Sequence, residues 1–219
     1  FGHDPVALIG GGTAKIGDPS GKMVERPLLD SRTIEENAAS IKIQLEKILG
    51  NLSLVLNNDS WISSFSLIEF LRSVGKHFRL GPMLGKDSVR SRLDSKEGLS
   101  FTELSYQILQ GYDFYHLYKN HQVTLQMGGS DQWGNITAGI EFTRKLTGQS
   151  VYGSTFPLLT QSDGKKFGKS ESGAVWLDPL KTSPYQFYQY LVRVTDDEVI
   201  QLMRMLTFID IEEIMTFEQ

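Results

Sequence analysis

Apolar residues in this chain follow two patterns: short unbroken runs that close on glycine or asparagine, and longer stretches in which they recur at steps of three and four. Val6-Ala7-Leu8-Ile9 runs into Gly10-Gly11-Gly12-Thr13, Leu52-Ser53-Leu54-Val55-Leu56 stops at Asn57-Asn58-Asp59, and Val123-Thr124-Leu125-Gln126-Met127 ends at Gly128-Gly129. Each run has the length and composition of a buried parallel strand ending in a turn. After the first of them, Ile34, Ala38, Ile41, Leu45 and Ile48 recur with helical spacing. Thr33 with Glu36 reads as a capping box for that helix, and Gly50 as its stop. Ser100 with Glu103 is a second capping box and opens a long helix through about Tyr118. Further helices are predicted around 64–74, 84–93, 132–146, 184–193 and 197–206, the last announced by Thr195-Asp196-Asp197-Glu198.

Strands alternating with helices predict an α/β fold with a parallel sheet, whose ligands bind at the carboxyl ends of the strands. The glycine turns lie at those ends. The helical stretch from about 62 to 120 reads as an insertion between two strands. A chain of 219 residues, 40% hydrophobic and 22% charged, has room for one sizeable core or two small domains. No apolar run approaches the ~20 residues of a membrane-crossing helix. A net charge of −4 argues against nucleic-acid binding by the whole surface and leaves room for a local basic groove. The absence of cysteine excludes disulfides, thiolate catalysis and Cys-ligated zinc. The start, Phe1-Gly2-His3-Asp4-Pro5, has no signal-peptide pattern, and a strand follows at once, so the chain reads as a fragment of a longer product.

Four segments carry candidate chemistry. Lys166-Phe167-Gly168-Lys169-Ser170 sets two ammonium groups and a hydroxyl around a glycine, a combination that suits a polyphosphate; a solvated basic hairpin tip is the structural alternative. Tyr106, Gln110 and Asp113 project from one face of the helix opened by Ser100. Such a polar row is costly when buried without partners; either a small polar ligand, or solvent and neighbouring helices, would satisfy it. Gly12 to Lys22 follows the first strand and has neither dinucleotide nor Walker spacing, but Asp18, Lys22 and Arg26 could meet an ammonium or an anion. In Gln126 to Asn135, two glycines leave room for a flat ring, and Asp131 could take both hydroxyls of a ribose or simply cap the next helix. The four histidines lack metal-ligand spacing and read as surface or packing residues, and Tyr185, Phe187, Tyr188 and Tyr190 read as core.

Gly-Asp-Pro-Ser-Gly-Lys at 17–22, the Tyr106/Gln110/Asp113 row, Gly-Gly-Ser-Asp-Gln-Trp-Gly-Asn at 128–135 and Lys-Phe-Gly-Lys-Ser at 166–170 together resemble, from end to end, the tyrosyl-tRNA synthetases of the bacterial and organellar type. The resemblance implies a Rossmann-type parallel sheet with its first strand missing. It implies a catalytic core over 1–182, a dimer-forming insertion at about 62–120 with Phe101 at the contact beside Phe70, Leu71, Phe78 and Met83, and the start of a helical linker over 183–219. It implies activation of L-tyrosine by ATP, taken with Mg2+ and no protein-ligated metal, and transfer to tRNA(Tyr). Asp113 would receive the phenol; Tyr106, Gln110 and Asp18 the ammonium; and Gln132 would lie near the carboxylate. Gly129, Asp131 and Leu159 would hold the adenosine, while Thr13, Lys22, Arg26, Lys166, Lys169 and Ser170 would serve the reacting phosphates. An upstream His-Ile-Gly-His-type motif and a second tyrosine of the family are not in this sequence, nor is a downstream anticodon domain, so the chain alone is expected to have little or no activity. A tryptophanyl-type synthetase and a noncatalytic RNA-binding or splicing relative are the alternatives. The expected location is bacterial cytoplasm, or a mitochondrion or chloroplast, without membrane association.

Overall fold

The computed structural model describes residues 2–17, 29–50, 54–86, 89–90, 93–94, 98–160, 167–170 and 173–217, with the backbone alone for Lys169, Ser170 and Gly173. Strands β1 (Val6–Ile9) and β2 (Leu54–Asn57) pair in parallel, Val6 opposite Leu54 and Ile9 opposite Asn57. Parallel neighbours need a crossover. After a single turn, α1 (Gly11–Ala14), helix α2 (Ser31–Leu49) provides it and packs on both strands. Ile34 and Ala38 are buried there, whereas Ile41 and Ile48 of the same periodic set are exposed. Helix α2 begins three residues earlier than the Thr33/Glu36 capping box predicts. Asp30 is the N-cap, its carboxylate accepting from the Thr33 N–H at 2.8 Å and the Thr33 hydroxyl at 3.1 Å. Gly50 ends the helix at φ 84°, a conformation glycine adopts without a Cβ penalty.

A second parallel pair joins β3 (Leu125–Gly129) to β4 (Tyr152–Phe156), with Leu125 opposite Tyr152. Among the described residues the expected parallel sheet is therefore present as two separate pairs. Strand β4 escapes the sequence pattern because Gly153, Ser154 and Thr155 at its centre carry little apolar signal. Packing requires that glycine: a Cβ at Gly153 would lie 2.4 Å from Ile136 Cγ2.

Between the two pairs run α3 (Asp59–Ile62), α4 (Leu67–Ser73), α5 (Leu80–Leu84) and the long α6 (Phe101–His121), and α7 (Trp133–Thr147) bridges β3 and β4. Within the helix expected at 84–93, the described residues 89, 90 and 93 are helical, with Arg90 N–H donating to the Lys86 carbonyl and Asp94 N–H to the Arg90 carbonyl, and a further short helix at Leu80–Leu84 precedes it. Gly81-Pro82 looks like a breaker, but in a first turn the missing proline N–H has no intrahelical partner to lose. Ser100 accepts from the Glu103 N–H at 3.1 Å, as its capping position predicts, and α6 continues past Tyr118 to a left-handed Gln122 at φ 57°. Helices α6 and α7 approach closely because Gly139 faces Phe114, which has no exposed surface. Trp61, Val74, Phe114, Ile136 and Phe142 fill this core. Met83 is buried with them, and the half-buried Phe78 stacks on Phe142 at 5.0 Å.

By internal contacts the chain forms two units, Phe1–Phe156 and Pro157–Gln219. The second contains a short antiparallel hairpin, β5 (Lys169–Ser170) and β6 (Gly173–Ala174), followed by α8 (Pro184–Val192), α9 (Asp196–Leu206) and α10 (Ile211–Phe217). A reciprocal capping box of Ser183 and Gln186, with Pro184 in the first turn, sets the start of α8. Thr195 precedes α9 without a side-chain cap bond.

A Cβ added at Gly139 would sit 2.8 Å from Phe114 Cβ, so α6 and α7 must separate to admit it. Gly139→Ala is expected to lower stability by about 1–3 kcal/mol despite the better helix propensity of alanine, measured by urea denaturation.

Candidate active site

The turn after β1 is built from backbone N–H groups that the next strand end satisfies. Gly11 N–H donates to Asn57 Oδ1 at 3.1 Å and Gly12 N–H to Asn58 Oδ1 at 2.8 Å. A Cβ at Gly11 would overlap the Asn57 amide at 2.4 Å, which is why this turn is made of glycine. Beside it Lys15 pairs with Asp59 at 2.7 Å, and that ion pair, helped by Ser63, holds the Asp59 carboxyl below its ordinary range.

Asn58 is 1% exposed and uses its whole amide. Besides receiving Gly12, its Nδ2 donates to Thr13 Oγ1 at 3.3 Å and to Asp113 Oδ2 at 3.0 Å. The other oxygen of Asp113, Oδ1, accepts from Trp61 Nε1 at 2.7 Å. Asp113 is 2% exposed, so its charge is poorly solvated. Burial pushes the carboxyl up to about 6, against the opposing pull of the Asn58 and Trp61 hydrogen bonds. Two lone-pair positions remain on this carboxylate once both donors are in place, enough to receive one further hydroxyl.

One turn back along α6, Gln110 is half-buried and its Oε1 accepts from Asn135 Nδ2 at 3.0 Å; the same Nδ2 reaches Gln132 Oε1 at 3.3 Å. Asn135 thus joins two residues that the sequence placed in separate motifs. Tyr106 is half-buried one further turn along. For Asp113 and Gln110, neighbouring elements do satisfy part of the polar row, one of the two possibilities its spacing left open. Gly129 ends β3, and Asp131 is exposed in a 3-10 turn, Ser130–Gln132, that leads into α7. The cap position of α7 is Gln132, without a side-chain cap bond, so Asp131 does not cap this helix.

Thr13 is buried, its hydroxyl donating to the Gly10 carbonyl at 3.1 Å while accepting from Asn58, so it belongs to the same network as Asp113. In the unit Pro157–Gln219, Leu159 is half-buried and its carbonyl accepts from Phe167 N–H at 3.0 Å. Gly168 takes φ 84°, its N–H donates to the Tyr190 hydroxyl at 2.9 Å, and the Phe167 ring meets Tyr190 edge-on at 5.3 Å. The backbone of Lys169 and Ser170 continues from this anchored glycine as β5. Asp18, Lys22, Arg26 and Lys166 lie outside the described residues.

Sequence reasoning missed Asn58, Trp61 and Asn135. Asn58 lies inside a turn signal, Trp61 carries no pattern of its own, and Asn135 sits within the Gly-Gly-Ser-Asp-Gln-Trp-Gly-Asn string with no spacing that ties it to Gln110.

This fold and site define an α/β protein of the Rossmann type that gathers polar side chains at the ends of parallel strands. Residues 1–219 match the family of tRNA synthetases class I (W and Y), and the chain belongs to it. The tyrosine–tRNA ligase of Protochlamydia amoebophila (strain UWE25) is 60% identical over 224 residues, covering 100% of this chain and 53% of the relative. The chloroplastic/mitochondrial tyrosine–tRNA ligase of Arabidopsis thaliana is 49% identical over 225 residues, covering 99% and 44%. A solved structure, the C-terminally truncated mitochondrial tyrosyl-tRNA synthetase of Coccidioides posadasii, matches with a TM-score of 0.76 at 38% identity, over 97% of this chain and 64% of that one. The chain spans about half the length of the curated relatives it matches.

Because the folded Asp113 carboxyl titrates at about 6 and an ordinary aspartate at 3.8, the folded state keeps a proton that the unfolded chain has released between these values. The stabilisation is complete below the lower value and lost as pH rises through the upper one. The stability of wild type relative to Asp113→Asn is expected to fall by on the order of 2–3 kcal/mol from about pH 4 to about pH 7, read from urea denaturation of both proteins across that range.

Proposed function

We propose that the chain is the catalytic part of a tyrosine–tRNA ligase, which activates L-tyrosine with ATP and passes the tyrosyl group to tRNA(Tyr). The observation that carries this reading is the buried Asp113 carboxylate, oriented by two donors and able to accept a third. A tyrosine phenol supplies that third donor. Phenylalanine would leave the acid unmatched, the penalty by which a polar pocket rejects an analogue lacking its hydroxyl, for which this enzyme family is the standard example.

In this reading Tyr106, Gln110 and Asp18 receive the substrate ammonium and Gln132 lies near its carboxylate. Gly129 and Asp131 hold the ribose and Leu159 flanks the adenine. A carboxylate oxygen of tyrosine attacks the α-phosphorus of ATP; the bond from that phosphorus to the bridging oxygen breaks, and pyrophosphate leaves with the electron pair. The nucleophile is already ionised, so in-line positioning and cations matter more than a general base. Lys22, Arg26, Lys166 and Lys169, with Thr13 and Ser170, serve the phosphates, and Mg2+ arrives with ATP as part of the substrate. A terminal ribose hydroxyl of the tRNA then displaces AMP from the tyrosyl carbonyl.

The catalytic core in this reading takes in 1–182, with 62–120 as its insertion and 183–219 as the start of a helical linker. Phe101 at 79% exposure, with Leu67 and Ile68 also largely exposed, supports a homodimer through the insertion. Relatives from bacteria and from chloroplasts or mitochondria support either a bacterial cytoplasm or an organelle as the location.

In its full natural length the protein is expected to catalyse ATP–pyrophosphate exchange that depends on tyrosine and is not supported by tryptophan. Lys169→Ala is expected to lower kcat about 100-fold or more, with tyrosine binding little changed. Exchange driven by tryptophan would return the tryptophanyl reading, and aminoacylation untouched by Lys169→Ala the noncatalytic one. Phe101→Glu is expected to shift the protein from dimer to monomer in sedimentation velocity at micromolar concentration.

A further inference from the structure

Trp61 lies between Asp113 and His116. The indole Nε1–H donates to Asp113 Oδ1 at 2.7 Å, while its face is covered by the His116 imidazole, with ring centroids 4.1 Å apart and planes within 17°. Asp113 and His116 are three residues apart on α6, so one helical turn presents both to the same indole. Trp61 itself is buried on α3, a helix of only four residues, and His116 is the ring that stacks on its indole.

The plane of the indole matters because the two donors to Asp113 use different oxygens, Asn58 on Oδ2 and Trp61 on Oδ1. Two donors on opposite oxygens stop the carboxylate from rotating about its terminal bond; with one, it can pivot and present its lone pairs elsewhere. A tilt of the indole redirects its N–H and releases that rotation. His116 is half-buried and is flanked by Tyr112 at 6.0 Å and His121 at 6.4 Å. Burial, with a smaller contribution from His121, holds its pKa below the ordinary value and so favours the neutral ring. A neutral, flat imidazole can stack on the indole without adding a charge next to the acid.

We propose that His116 is a positioning residue for recognition of the substrate side chain: by stacking on Trp61 it fixes the indole N–H that orients Asp113, and so sets the preference for tyrosine over phenylalanine. The proposal rests on the ligase reading above. It requires a flat ring at position 116, not a charge or a hydrogen-bonding group.

The test uses the full-length natural protein and compares wild type with His116→Leu, His116→Gln and His116→Phe in pyrophosphate exchange with tyrosine and with phenylalanine. His116→Leu and His116→Gln are expected to raise the tyrosine KM about three- to tenfold, to change kcat less, and to reduce the ratio of kcat/KM for tyrosine over phenylalanine. His116→Phe, which keeps a flat face for the indole, is expected to restore both. Two non-aromatic variants of different polarity are used so that failure of one to fold leaves the other to decide. Wild-type KM and wild-type preference in either folded non-aromatic variant overturns the role of His116 alone, as does a His116→Phe protein as impaired as His116→Leu. Absence of tyrosine-dependent exchange in the wild type overturns the ligase reading, and the proposal with it.

Discussion

A carboxylate that is almost wholly removed from water organises this protein. Burying the charge of Asp113 is costly unless donors replace the lost solvent. Here the donors come from Asn58 and Trp61, 55 and 52 residues away along the chain. Satisfying both requires the turn after β2, the short helix α3 and the middle of α6 to meet in one register. Asn58 extends the constraint further, because its amide also receives the Gly12 N–H and donates to Thr13. The glycine turn of the first strand pair is thereby tied to the acid on the long helix, and a shift in either is felt by the other. A partly satisfied network of this kind would be worse than an apolar core, so the arrangement acts as a specification of geometry as much as a source of stability.

A second polar cluster forms by a different route. Helix α7 lies close against α6 because Gly139 leaves room for Phe114, and that approach brings Asn135 to Gln110. Asn135 in turn reaches Gln132, in the turn that leaves β3. The polar row on α6 is consequently held from two sides, by α3 at Asp113 and by α7 at Gln110. Asn58 follows the end of β2 and Gln132 the end of β3, so both residues come from the carboxyl ends of strands, where open α/β sheets place their ligands. The basic hairpin depends on a more local arrangement. Gly168 supplies the left-handed turn and Tyr190 anchors its N–H, so the start of the strand carrying Lys169 is defined within its own unit.

What the sequence determined by itself was the local grammar. The run Val6–Ile9, the row Tyr106/Gln110/Asp113, the Ser100 cap and the Ser-Asp-Gln-Trp string each declare themselves through spacing over a few residues, since helix and strand periodicity act at that range. Local rules also erred locally: Asp30 takes the cap expected of Thr33 because a carboxylate was available three positions earlier, and β4 stayed hidden because its glycine answers to Ile136 on another element. Only the tertiary structure decided the partners. That Asn58 and Trp61 orient Asp113, that Asn135 links Gln110 to Gln132, and that His116 stacks on Trp61 are all pairings whose members carry no mutual mark in one dimension. Hydrogen bonds and ring stacks act over a few ångströms, and residues dozens of positions apart come within that range only once helices and strands have packed.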